Sequence, residues 1–238
     1  KQMGLALHNH HDTYNRFPPG AASDQIPFGT LTTGAGFGSS WMVYILPYTE
    51  QRALSDQWEF AGDSGFQSAK NIPAQHAVMI PTLACPSSPL PAQWAREIGP
   101  SKKGFKYNRM ATHYVGISGA DNGLIPGFTE SRVVQVDRSG HVGGGGVMIV
   151  NGKLRFADIT DGSSNVMAIS EDGDYIHSGT ANETRNDWRA CQGWGWCIGT
   201  DSRGVVPDFT GGTVVWNLNT IRYPINLKKN NWTGDLAA

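Results

Sequence analysis

The chain changes character near residue 104, from helical periodicity to alternating runs, and that order limits it to an α+β architecture. Its opening KQMGLALHNHHDTYNRFPPG places Met3, Leu7, His10 and Tyr14 on one helical face, with no capping residue ahead. The FPPG tetrapeptide stops that helix, because Phe17 precedes Pro18 and Gly20 permits a sharp turn. Residues 21–40 read as a Gly/Ser/Thr-rich loop. A second helix is expected from SSWMVYILPYTEQRALSDQ, capped by Ser39 or Ser40, kinked at Pro47 and packed on the first. A short third helix is expected around 68–79.

The strand half begins with HYVGISG. Its sharpest local signal is GVMIVNGKLRFADIT, where Asn151-Gly152 between two alternating runs predicts a tight hairpin. Val147 and Ile149 would then share a face with Leu154 and Phe156. VMAIS, GWGWCIG and TVVWNL are the remaining strand candidates. The expectation is a terminal helix packed on an antiparallel sheet with long loops; the resemblance set out below implies that residues 1–20 form the end of a stem and its turn, and 21–238 a single head domain.

Thirty glycines, thirteen prolines and only 16% charged residues fit a loop-rich globular chain. A net charge of -1 gives no electrostatic footprint for nucleic acid. No apolar run approaches the ~20 residues of a membrane span. Cys191 and Cys197 in CQGWGWC lie close enough to close a small disulfide loop, eased by Gly193 and Gly195, which would place the protein in an oxidising, exported compartment. The alternative is two reduced, buried thiols. Cys85 is left over, either as a core residue or with a partner elsewhere.

Chemistry-bearing constellations are sparse. His8 and His11 are helix neighbours and, with Asp12, make at most a partial metal site; HEXXH is absent, and Gly143–Gly146 lacks the lysine and hydroxyl of a phosphate loop. Asp158, Asp161, Glu171, Asp172 and Asp174 sit in glycine-containing segments and are calcium candidates, though their spacing does not match an EF-hand loop and Asx turns explain them equally. Trp188, Trp194 and Trp196 are candidates for an aromatic platform that stacks on sugar rings, or for a core. Asn182 and Asn231 head glycosylation sequons. No nucleophile and base set of a hydrolase is recognisable.

Five motifs in order carry a resemblance: the opening twenty residues, W-x-V-x-I-L-P-Y-x-E-Q from Trp41 to Gln51, ACPSSP at 84–89, YVGISGADNG at 114–123 and DITDGSSNVMAISE at 158–171. The chain resembles a planctomycete family of proteins with a prepilin-type cleavage and methylation signal and a domain of unknown function, formerly labelled extracellular solute-binding. Departures are ACPSSP for the usual CPSDP, Ser170-Glu171 where Gly-Glu is common, and no closing His-x9-Asp-Gly motif after residue 226. The resemblance implies a pilin-like or pseudopilin-like protein displayed at the cell surface or in the periplasm. An apolar helix upstream of Lys1 would anchor it in the membrane or join it to other subunits. It implies no enzyme activity. The alternative is an extracellular module that binds a carbohydrate or another solute, through the Trp-rich segment.

Overall fold

A computed structural model of the chain describes residues 1–33, 36–60, 68–97, 106–123, 126–136, 139–178, 185–191, 194–212, 214–224, 226–227 and 229–230. Helix α1 runs over Gln2–Tyr14 and ends at Asn15, whose left-handed φ of 51° closes the last turn before FPPG is reached. Its buried residues are Ala6, Leu7 and His10, whereas Tyr14, expected on the same face, is 58% exposed. It packs against α2 (Trp41–Ile45) and the turn at Leu46–Tyr48. No helix among the described residues is long and apolar enough to cross a membrane.

The expected single second helix is broken up. Ser40 caps α2, its hydroxyl accepting from Met42 N at 3.3 Å, but Pro47 sits in a 3-10 turn and Glu50 adopts a positive φ of 60°. Helix α3 is a separate turn at Arg52–Ser55, and α4 covers Asn71–Gln75 within the expected segment.

Twelve short strands among the described residues form five small sheets. Three are antiparallel pairs: β1 (Ala21–Ser23) with β2 (Phe37–Ser40), β3 (Gln93–Glu97) with β4 (Lys106–Met110), and β6 (Val133–Val136) with β7 (Gly140–Gly143). The fourth is central and mixed. Here β5 (Tyr114–Ala120) pairs antiparallel with β8 (Ile169–Glu171) and parallel with β11 (Leu218–Ile221). In the fifth, β9 (Ile176–Ser178) lies between β10 (Arg185–Asn186) and β12 (Lys229–Asn230). The architecture is α+β, with antiparallel and mixed sheets where a single antiparallel sheet was expected.

The core lies between the helices and one face of the central sheet, around the fully buried Trp41, Met42, Ile45, Met148 and Trp196. The Trp41 indole donates to the Asn217 carbonyl at 3.2 Å. Gly116 on β5 makes room for it: a Cβ there would stand 3.2 Å from the indole nitrogen and 2.7 Å from Leu218.

The hairpin expected at Asn151-Gly152 does not form. Val150 bridges Ala21 in parallel, and Asn151, left-handed as such a turn requires, spends its buried amide on tertiary contacts. Its Oδ1 accepts from Ser23 N at 2.9 Å, and its Nδ2 donates to the Ser202 and Gly204 carbonyls at 3.0 Å each. Three segments are thereby tied by one side chain, and the run that follows turns into a 3-10 turn at Phe156–Asp158. The described part of GWGWCIG, residues 194–199, likewise contributes only an isolated bridge from Ile198 to Ser39, since Gly195 at φ +92° breaks the extended path.

Candidate functional site

The two faces of β5 have different fates. Gly116 meets Trp41 and Met148 in the core, while Val115 and Ile117, alternating with it, line a cleft of about 680 Å³ on the other face. Ile169 of β8 and Ile221 of β11 widen that apolar floor, and residues from β9, β10 and the segment after β11 complete the walls. Met167 and Leu227, 41% and 39% exposed, stand in the lining. The volume falls within the ~300–1,000 Å³ typical of small-molecule sites. Three aromatic residues, Tyr175, Trp188 and Tyr223, contribute to the walls.

The polar groups of the cleft are sorted by position. Glu171 pairs with Tyr114 at the start of β5, and Asp172 and Asp174 follow directly, so all three acids gather at that end. The Tyr114 hydroxyl donates to Glu171 Oε1 at 3.4 Å. The Tyr114 phenol is held above its ordinary range, by burial first and then by Glu171 and Cys85. Asp172 has an enclosed carboxyl: Oδ2 accepts from Ala190 N at 2.9 Å, and burial pushes its pKa up to about 6 against the pull of that bond and of Arg189. Asp174 Oδ1 accepts from Tyr175 N at 2.7 Å, just ahead of β9.

Arg222 lies past the far end of β5, since Ile221 pairs with Ala120. Its Nε sits 3.4 Å from Asp121 Oδ2, which also holds His141 Nδ1 at 2.8 Å. Asp121 is buried and takes Asn122 N on its other oxygen at 2.7 Å. This anchored cation was not foreseen from sequence, because residues 121, 141 and 222 meet only through sheet pairing.

The tryptophan platform is not assembled. Trp188 lines the cleft, but Trp196 is fully buried with its ring 5.8 Å from Trp58, and Trp194 packs beside Trp216 at 6.4 Å. The calcium candidates divide in the same way. Asp158 closes a turn with Arg155, accepting its backbone N–H at 2.8 Å, and neither it nor Asp161 lines the cleft. Among the described residues no three His, Cys, Asp or Glu side chains converge to hold a metal ion. His8 and His11 both engage Phe156, the first by stacking at 5.0 Å and the second by accepting its N–H at 3.2 Å. The sequons at Asn182 and Asn231 lie outside the described residues.

The expected disulfide is absent: Cys191, Cys197 and Cys85 are all free. The first two are fully buried in different surroundings, Cys191 beside Arg189 and Asp172, Cys197 beside Arg109. Burial pushes both thiols up to about 12, which suppresses the thiolate. Native protein should therefore present one thiol to an aromatic disulfide reagent, that of half-buried Cys85, and three in denaturant. A count of one in denaturant, rising to three only after reduction, would restore the bridge.

No curated protein and no solved structure matches this chain. One family model does, over residues 1–235, and its description is a protein of unknown function, DUF1559. A match of that extent shows that the chain belongs to the DUF1559 family.

Proposed function

We propose that this chain is a non-catalytic, exported binding head that takes a small solute in the cleft beside β5. The supporting observation is the cleft itself: an apolar floor, three aromatic residues in the walls, and charged groups segregated to its two ends. Fixed polar groups at the edges of an apolar cavity orient a ligand without cleaving it. The family's former solute-binding label points the same way.

The test is a thermal-shift screen of sugars, amino acids and small amines against wild-type protein and Trp188→Ala. A stabilising ligand should emerge whose apparent Kd rises at least tenfold in the variant, since loss of a stacking ring removes more than ~1.4 kcal/mol. A hit that binds the variant equally, or a screen with no hit, would count against the cleft.

A second reading concerns display, and the exposure of α1 favours it. Lys1, Gln2, Gly4 and Leu5 are exposed, Leu5 at 61%, while burial begins at Ala6. A helix whose first turn touches the core only through half-buried Met3 and is otherwise held by its later turns is suited to act as a stem for a membrane anchor or for neighbouring pilin-like subunits. Fractionation of the full gene product tests this: it should appear in a membrane or filament fraction, and a soluble monomer would refute the stem.

A further inference from the structure

Resting on the reading of the cleft as a solute site, we infer that the site is proton-gated: the Asp172 carboxyl couples its own protonation to the stance of the wall that carries Trp188, so that a solute binds more tightly as pH falls. Asp172 is half-buried in the lining, where its backbone N–H donates to the His113 carbonyl at 2.8 Å and its Oδ2 accepts from Ala190 N at 2.9 Å. Ser88 Oγ donates to the next carbonyl, that of Gly173, at 2.6 Å, so this turn is fixed and the opposite wall hangs from it. Ala190 is two residues past Trp188, and its own carbonyl accepts from Asn217 N at 3.1 Å, just before β11. One carboxyl therefore joins the acidic end of the cleft, the Trp188 wall and the approach to β11.

Asp187 and Arg189 flank Trp188 in sequence, and both act on Asp172: the guanidinium attracts its carboxylate and Asp187 repels it. Neutral Asp172 leaves the Arg189 fork to Asp187, which it clasps at 2.6 and 2.9 Å. Ionised Asp172 competes for that cation and pushes on Asp187, and both forces fall on the neighbours of Trp188. Burial is the largest influence on Asp172 and brings its proton exchange to about pH 6. The other titratable groups around it are Glu171 and Asp174 of its own turn, Tyr114 in the β5–β8 pairing, Cys191, whose thiol burial pushes up to about 12, and His113. His177 stands farther along the lining, with Arg185 and Lys229 opposite it in the strand register. A solute seated over Asp172 strips water from the ionised form, so the carboxyl holds its proton more readily in the complex than in the free cleft. Binding then takes up a proton, and affinity rises as pH falls through that range.

The test is 19F NMR of the whole chain with its eight tryptophans replaced by 5-fluorotryptophan, the Trp188 line being assigned with Trp188→Phe. From pH 4 to 7.5 that line should move with a single midpoint at about 6, and a neutral gadolinium chelate should broaden it more above the midpoint than below, because the wall loosens when Asp172 ionises. Asp172→Asn, which still accepts from Ala190, should abolish both changes. The 13C shift of the Asp172 carboxyl in the wild type should share the midpoint, which keeps the test decisive if that variant folds poorly. A Trp188 line that stays still, one that moves with no change in broadening, a midpoint that differs from that of the carboxyl, or a transition that persists in Asp172→Asn and so belongs to a histidine, overturns the gate. No ligand enters these measurements, so a rigid wall leaves the solute site standing, while a responsive wall with a screen that finds no solute counts against the solute site and not against the coupling.

Discussion

Arg189→Ala should lower the folding free energy by about 3–5 kcal/mol, the typical cost of stranding a buried charge. The guanidinium is 1% exposed and makes four described bonds. Nε and Nη2 clasp the two Asp187 oxygens at 2.9 and 2.6 Å, Nη1 donates to the Ala111 carbonyl at 3.1 Å, and Nη2 donates to the Pro91 carbonyl at 2.8 Å. One planar group thus fastens the segment after β10 to the end of β4 and to the segment before β3. Its removal leaves the Asp187 carboxylate with the backbone N–H of residue 189 at 3.3 Å in place of the guanidinium fork, strands the Ala111 and Pro91 carbonyls that it served, and takes away a cation that partly offsets the burial of Asp172. Replacing both members, as in Arg189→Met with Asp187→Leu, should recover much of the loss, because an apolar pair of similar volume carries no stranded charge. Urea denaturation of the two variants decides it. A single-variant cost below 1 kcal/mol, or a double variant no better than the single, would show that the clip is not what holds this wall. Trp188 adjoins the clip in sequence, so the single variant should also weaken any ligand that binds in the cleft.

What could be read from the sequence was local, and what could not was assembled across distance. The terminal helix, the Ser40 cap and the strand at 114–120 follow from periodicity and capping within a few residues. Asn151-Gly152 misled because a left-handed Asn is needed both for a tight hairpin and for the three-segment tie that this chain builds, and turn chemistry alone does not distinguish them. The cleft depends on β5 pairing with β8 and, in parallel, with β11 about a hundred residues away, a register that alternation within each strand does not specify. Trp188 was among the candidate residues for this reason only by type; that it lines the cleft while Trp196 is sealed in the core is decided by packing. Tyr175, Tyr223 and Arg222 carried no sequence signal of their own; Tyr175 adjoins the acidic run 171–174, which was read for its carboxylates alone. The cysteines show the same limit: five intervening residues permit a bridge, and the burial of each thiol in its own surroundings prevents it.

The pH dependence of stability should be flatter in the wild type than in either of two single variants. His10 is 3% exposed, sits among Tyr14, Tyr44 and Tyr48, and donates from Nδ1 to the Arg16 carbonyl at 3.0 Å. Burial, aided by the charges of Arg16 and His11, lowers its pKa from 6.5 to about 4. The unfolded chain therefore binds a proton between pH 6.5 and 4 that the folded chain refuses, so stability falls as pH falls, by up to about 3 kcal/mol. His113, lowered by burial and by Arg189, adds to the same slope. Asp172 works in the opposite sense. Raised from 3.8 to about 6, it keeps a proton in the fold that the unfolded chain has released, so between pH 4 and 6 its contribution falls as pH rises. Over that window the two slopes oppose each other. His10→Gln, which can still donate to the Arg16 carbonyl, should remove the acid-side loss, and its stability relative to wild type should climb by up to about 3 kcal/mol from pH 7 to pH 4. Asp172→Asn, which can still accept from Ala190, should expose the histidine slope and be favoured over wild type above pH 6 while losing that advantage below pH 4. Urea midpoints measured from pH 4 to 7.5 give the answer. A constant difference between wild type and His10→Gln across that range would mean that the ring is charged in the fold, and that the aromatic cage around it is open to water.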